Sequence, residues 1–126
     1  MSRVVTKESE RTRIEKSFDV FGLDTRQRGL ILEALDSGAW DWFEDCDGCT
    51  AVSELHWPTK YFPPCLRHDF DWATGNGDFT ASKNFYDLQR AYGVPKWRAV
   101  LRAGAVTAVW YLKALVPSST LSRPRP

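Results

Sequence analysis

A chain of 126 residues can bury one hydrophobic core and not two, so it is bounded to a single small domain. Hydrophobic residues make up 43% and charged residues 26%, an ordinary globular balance that excludes wholesale disorder. The net charge of +1 is too weak a field to drive a nucleic-acid interface, and the basic residues are scattered apart from the Arg123–Pro126 end.

Residues 1–17 are polar and are expected to form a flexible N-terminal segment. Met1–Glu10 contains no apolar h-region, so no secretion signal is visible. A single domain is expected over 18–116. It opens with Asp24-Thr25-Arg26-Gln27, a capping box in which Asp24 accepts from the third helical amide and Gln27 reaches back. Leu30, Ile31, Ala34 and Leu35 form the apolar stripe of that helix, and Ser37-Gly38 stops it. Residues 39–64 hold aromatics among Gly48, Pro58, Pro63 and Pro64 without a strict period. They read as a structured loop with a short helix at 39–44, and 50–62 is the only place for a small hairpin.

Pro64 near a first turn predicts a helix over about 64–74, broken by Gly75-Asn76-Gly77. Thr80 is placed to cap the next helix, which runs through Tyr92 with Ala81, Phe85, Leu88 and Tyr92 on one face. Gly93 ends it, Pro95 starts a long helix to about Leu115, and Pro117 follows. Arg98, Arg102 and Lys113 read as the exposed face of that last helix. Its apolar run, Ala103 to Leu112, is too short to span a membrane. The tail 117–126 is rich in Pro, Ser and Arg and is expected to be disordered. There is no internal repeat, and the class is all-α.

The chemistry concentrates in Cys65-Leu66-Arg67-His68-Asp69-Phe70. Consecutive residues of a helix point about 100° apart. Cys65, Asp69 and Trp72 therefore share one stripe while His68 and Trp72 share its neighbour. An adjacent His-Asp pair on a helix can thus divide labour. Upstream, Asp47-Gly48-Cys49-Thr50 supplies a second carboxylate and a second cysteine. Two carboxylates suit a hard cation, and an imidazole suits activation of water. The three cysteines make an odd count, open to one pair with Cys46 as the spare or to three thiols. Cys46, Cys49, Cys65 and His68 also form a formal Cys3His zinc set, which leaves Asp47 and Asp69 without a role. His56 stands alone in an aromatic-rich loop and reads as a surface or core residue. Trp40, Trp42, Trp57 and Tyr61 flank the motif as candidates for a lipid-contacting rim, a role that competes with core packing for each.

Asp47-x-Cys49-Thr50 followed by Cys65-x-x-His68-Asp69-Phe70, with Phe62 and Pro63 just before, resembles the secreted phospholipases A2 of bacteria and fungi. The resemblance covers residues 38–92 and extends loosely to Ala108–Leu115, where Val109-Trp110-Tyr111 is similar to an aromatic final helix. It implies a small helical domain with a calcium loop and two antiparallel core helices. It implies a Cys49–Cys65 bridge closing a loop of about 15 residues, stabilising by roughly 3 kcal/mol. It implies Ca²⁺ held by Asp47, the Gly48 carbonyl and Asp69, with His68 activating water against the sn-2 ester of a glycerophospholipid. The implied partner is a phospholipid membrane or micelle surface, and the implied location is extracellular.

One departure concerns the aspartate that orients the catalytic imidazole, three residues before a Phe-Tyr pair. The pair here is Phe85-Tyr86, and the position holds Ser82. Asp87, Tyr86 and Asp78 are the candidate replacements. The connection is also shorter, with Gly-Asn-Gly in place of Arg-Asn. A second resemblance is shorter: Gly93-Val94-Pro95-Lys96-Trp97 looks like a stretch of small phage-associated proteins that carry a His-Asp helix. It implies a non-catalytic structural or interaction protein on the same scaffold, associated with a virion.

Overall fold

The structure, a computed structural model, describes residues 6–46 and 61–115. Six helices follow in chain order: α1 (Lys7–Val20), α2 (Thr25–Asp36), α3 (Trp42–Asp45), α4 (Pro63–Ala73), α5 (Phe79–Ala91) and α6 (Lys96–Leu115). No strand occurs among the described residues, so the all-α class stands. The 50–62 hairpin lies almost wholly outside the described residues, as does the 117–126 tail.

Local chemistry sets the helix ends. Asp24 caps α2 as expected, accepting from Gln27 N while Gln27 Oε1 accepts from Asp24 N. Pro63 and Pro64 occupy the first turn of α4, where a missing amide hydrogen costs nothing. Gly75 and Gly93, with φ of +82° and +88°, turn the chain after α4 and α5. Two expectations are corrected. The N-cap of α5 is Asp78, whose carboxylate accepts from Ala81 N, and Thr80 sits inside the helix. Most of the supposedly loose 1–17 segment is α1, opened by a reciprocal cap between Thr6 and Ser9. Ile14 and Phe18, one turn apart, carry α1 into the core, and Ser17 Oγ lies 2.5 Å from the hydroxyl of Tyr92, the C-cap of α5. Burial pushes the Tyr92 phenol up to about 12.

The core runs through Ile14, Phe18, Ile31, Leu35, Phe62, Leu66, Phe85 and Leu88. Trp40, Trp42 and Tyr61 also belong to it, at 6%, 1% and 6% exposed, which removes them as a lipid-contacting rim. Tyr61 stacks on Phe43, meets Trp42 edge-on and donates to the Phe43 carbonyl at 2.8 Å. Trp57 lies outside the described residues.

Helix α4 is central, packed on α2 and on α5, and α5 packs in turn on α6. Its α2 face is polar: Arg67 is 8% exposed, with Nη2 2.9 Å from Asp71 and Nη1 donating to Glu33 at 2.5 Å and to the Leu30 carbonyl at 2.9 Å. Desolvation acts to lower the Arg67 pKa, but the two carboxylates outweigh it and the net direction is up. Removing Asp71, itself 2% exposed, leaves a buried guanidinium short of its chelating partner. Asp71→Ala is therefore expected to cost about 3–5 kcal/mol, read as a lower urea midpoint at unchanged slope.

Candidate active site

His68 and Asp69 leave α4 in different directions, as a 100° step requires. Asp69 points to the chain that follows α3: Cys46 Sγ donates to its Oδ2 at 3.4 Å. Cys46 is buried and remains a thiol. Cys65, one turn before Asp69, is disulfide-bonded. A disulfide sulfur is not a thiolate ligand, so the Cys3His zinc set loses a member. Asp47, Gly48 and Cys49 lie outside the described residues. Of the proposed calcium ligands Asp69 alone is described, and the residue before Asp47 is held against it.

His68 faces α5 and α6 through aromatic rings. It stacks on Phe85 at 4.7 Å between centroids and meets Trp72, one turn along α4, at 5.3 Å. Trp72 meets Trp110 of α6 edge-on at 5.2 Å. The Trp110 indole also presses on Gly77, in the turn between α4 and α5, where a Cβ has no room. Rings from α4 and α5 thus flank one imidazole, and Trp110 of α6 backs the Trp72 ring. Its Nε2 is buried and has no hydrogen-bond partner among the described residues. Burial without a compensating charge pushes the imidazole down to about 4, so it is neutral at pH 7.

None of the expected orienters bonds to it. The Ser82 hydroxyl is 5% exposed and pairs with the Thr107 hydroxyl of α6, which also bonds the Ala103 carbonyl at 2.7 Å. Asp87 accepts from Arg26 at 2.9 Å and Gln27 at 3.2 Å, at the start of α2. Asp78 caps α5, and no hydrogen bond joins Tyr86 to His68. The Asp87 substitution for the missing aspartate is thereby corrected: Phe85, not Asp87, is the residue of that turn that reaches the imidazole. Sequence reading missed Thr107 and Trp110 as neighbours of the motif, and the bond from Cys46 to Asp69. The signals for two of them were present, in the His68/Trp72 stripe and in the position of Cys46 beside Asp47.

A groove of about 880 Å³ lies between α5, α6 and the start of α2, with Phe79, Lys83, Val100 and Gly104 among its walls. Ser82 and Asp87 line it, but His68 does not. This groove therefore backs on to the imidazole's neighbours and does not open on the imidazole itself.

The buried neutral imidazole has a signature in stability. Unfolding returns His68 from about 4 to its ordinary 6.5, so between these pH values the unfolded chain binds the extra proton. Stability contributed by the neutral ring is present above pH 6.5 and is lost as pH falls toward 4. The swing is expected to approach about 3 kcal/mol, and His68→Gln is expected to flatten that part of a stability–pH curve measured by urea unfolding.

No family model, curated protein or solved structure matches the chain.

Proposed function

We propose that the chain is a phospholipase A2-like, calcium-dependent hydrolase of the sn-2 ester of glycerophospholipids, with His68 activating water. The observation that carries the reading is the division on α4. His68 lies in an apolar enclosure while Asp69, one residue on, meets the segment that leads into Asp47. The disulfide at Cys65 fits the same reading, with Cys49 its proposed partner. Asp69, Asp47 and the Gly48 carbonyl would hold the ion. Bound Ca²⁺ supplies charge to a lipid phosphate and to the developing oxyanion. The protein's own contribution is the imidazole. Because Nε2 is buried, Nδ1 is the nitrogen left to meet water. A base near 4 is neutral and can accept a proton, but its driving force is small against one poised near 7. With no carboxylate on Nε2 among the described residues, its tautomer is also unfixed, a defect worth about 10⁴ in rate in triad-type sites. The proposed activity is accordingly slow.

The same observations favour a second reading, a non-catalytic interaction protein on this scaffold. Ser82 is engaged with Thr107 and Asp87 with Arg26, so neither serves the imidazole.

Release of sn-2 fatty acid from mixed phospholipid vesicles, with Ca²⁺ or with chelator, separates the two. The hydrolase reading expects calcium-dependent release that disappears in His68→Ala and in Asp69→Asn. Ser82→Asp is expected to raise the His68 pKa, followed by NMR titration, and to increase the rate at least about tenfold by restoring an orienting charge. Folded, oxidised protein that releases nothing, with Ser82→Asp equally silent, retires the hydrolase in favour of the interaction protein.

A further inference from the structure

Helix α6 does not present its charges to solvent in the way its sequence suggests. Arg98, Arg102 and Lys113 are half-buried, and the exposed arc is apolar. Trp97 is 60% exposed, Leu101 62% and Leu112 56%, with Val100, Val109 and Tyr111 exposed beside them. At 100° per residue Trp97, Val100, Leu101, Tyr111 and Leu112 form one strip running the length of the helix, and Val109 falls at its edge. Arg98, Arg102 and Lys113 fall along one border of that strip, and Lys96 falls on the other. Phe79, 63% exposed at the start of α5, lines the same groove as Val100 and adds to the apolar surface there.

Charge is segregated to match. The last acidic residue is Asp87, and residues 88–126 carry seven basic residues and no acidic one. A net charge of +1 thus conceals a strongly cationic C-terminal third. An apolar strip with basic borders and aromatics near both ends fits a helix lying in the plane of a lipid interface, apolar side down and basic heads among anionic headgroups. Among the described residues no helix is long and apolar enough to cross a membrane. A second copy would bring two wholly cationic helices together, whereas an anionic surface neutralises them.

We propose that the exposed face of α6, flanked by Lys96, Arg98, Arg102 and Lys113, docks the protein on an anionic phospholipid surface. This deepens the phospholipid reading by naming the face that meets the lipid, and it holds whether or not His68 is catalytic.

The test is co-sedimentation of the whole chain with vesicles of phosphatidylglycerol or of phosphatidylcholine, with far-UV circular dichroism confirming the fold of each variant. Binding is expected on phosphatidylglycerol, weaker by at least about tenfold on phosphatidylcholine or at high salt. Leu101→Asp is expected to weaken it by at least about tenfold, as is the pair Lys96→Glu with Lys113→Glu. His68→Ala is expected to bind as the parent does. Failure to bind phosphatidylglycerol overturns the proposal, as does full binding by the folded Leu101→Asp variant. A lipid-free dimer that Leu101→Asp turns into a monomer overturns it too, by giving the face to a second copy. Hydrolysis of a monomeric short-chain phospholipid reads the chemistry without a surface. Vesicle binding without any such hydrolysis removes the hydrolase and leaves the docking face in place.

Discussion

A guanidinium that reaches almost no solvent must find acceptors within the protein, and Arg67 finds them on two helices. Asp71 chelates it from its own helix, while Glu33 and the Leu30 carbonyl hold it from α2. Such a cluster contributes little net stability compared with an apolar replacement, but it tolerates very few geometries. It fixes the rotation of α4 about its axis. Once Arg67 is committed to α2, the 100° step places His68 against α5, and the next step turns Asp69 toward Cys46. The position of the candidate chemistry is thus decided by a residue that takes no part in it.

Two requirements on an active-site imidazole conflict here. Exclusion of water strengthens every interaction made at the site. The same exclusion lowers basicity unless a carboxylate accompanies the ring. The rings of Phe85 and Trp72, backed by Trp110, meet the first requirement on the Nε2 side of the ring. The second is unmet among the described residues: no carboxylate bonds the ring, and the hydroxyl at Ser82 turns to Thr107. The helix that carries Thr107 also carries the cationic apolar face. The residue that takes Ser82 away from the imidazole therefore sits on the element with the strongest surface character.

Most helix boundaries were legible because short-range chemistry sets them. The Asp24 cap, the prolines of α4, and Gly75 and Gly93 act within a few residues of themselves. The α1 helix was not legible. Its side chains are mostly charged, only Ile14 and Phe18 are apolar core residues, and its cap uses Ser9 where a glutamate or glutamine is the usual signal. Composition could not tell whether Trp40, Trp42 and Tyr61 form a rim or a core, since both environments favour aromatics. The divergence of His68 and Asp69 followed from helix geometry alone. The fates of Ser82 and Asp87 did not, because their partners lie 25 and 61 residues away. The face of α6 was misread for a related reason: the wheel orders its residues, but only the packing of Ala99 on the core shows which arc turns inward.

The contact between Gly77 and the Trp110 indole bears on how this chain can vary. Gly29, Gly38 and Gly104 have open space where a side chain would begin, and Gly22, Gly75 and Gly93 are restricted only by their positive φ. At Gly77 the restriction comes from a bulky ring 33 positions further along the chain. A lineage that replaced Gly77 would have to move or shrink the Trp110 ring, and the ring could keep its present place only with a glycine against it. The two positions are therefore expected to drift as a pair. The order of their changes would be constrained even though neither contacts the imidazole that the stack encloses.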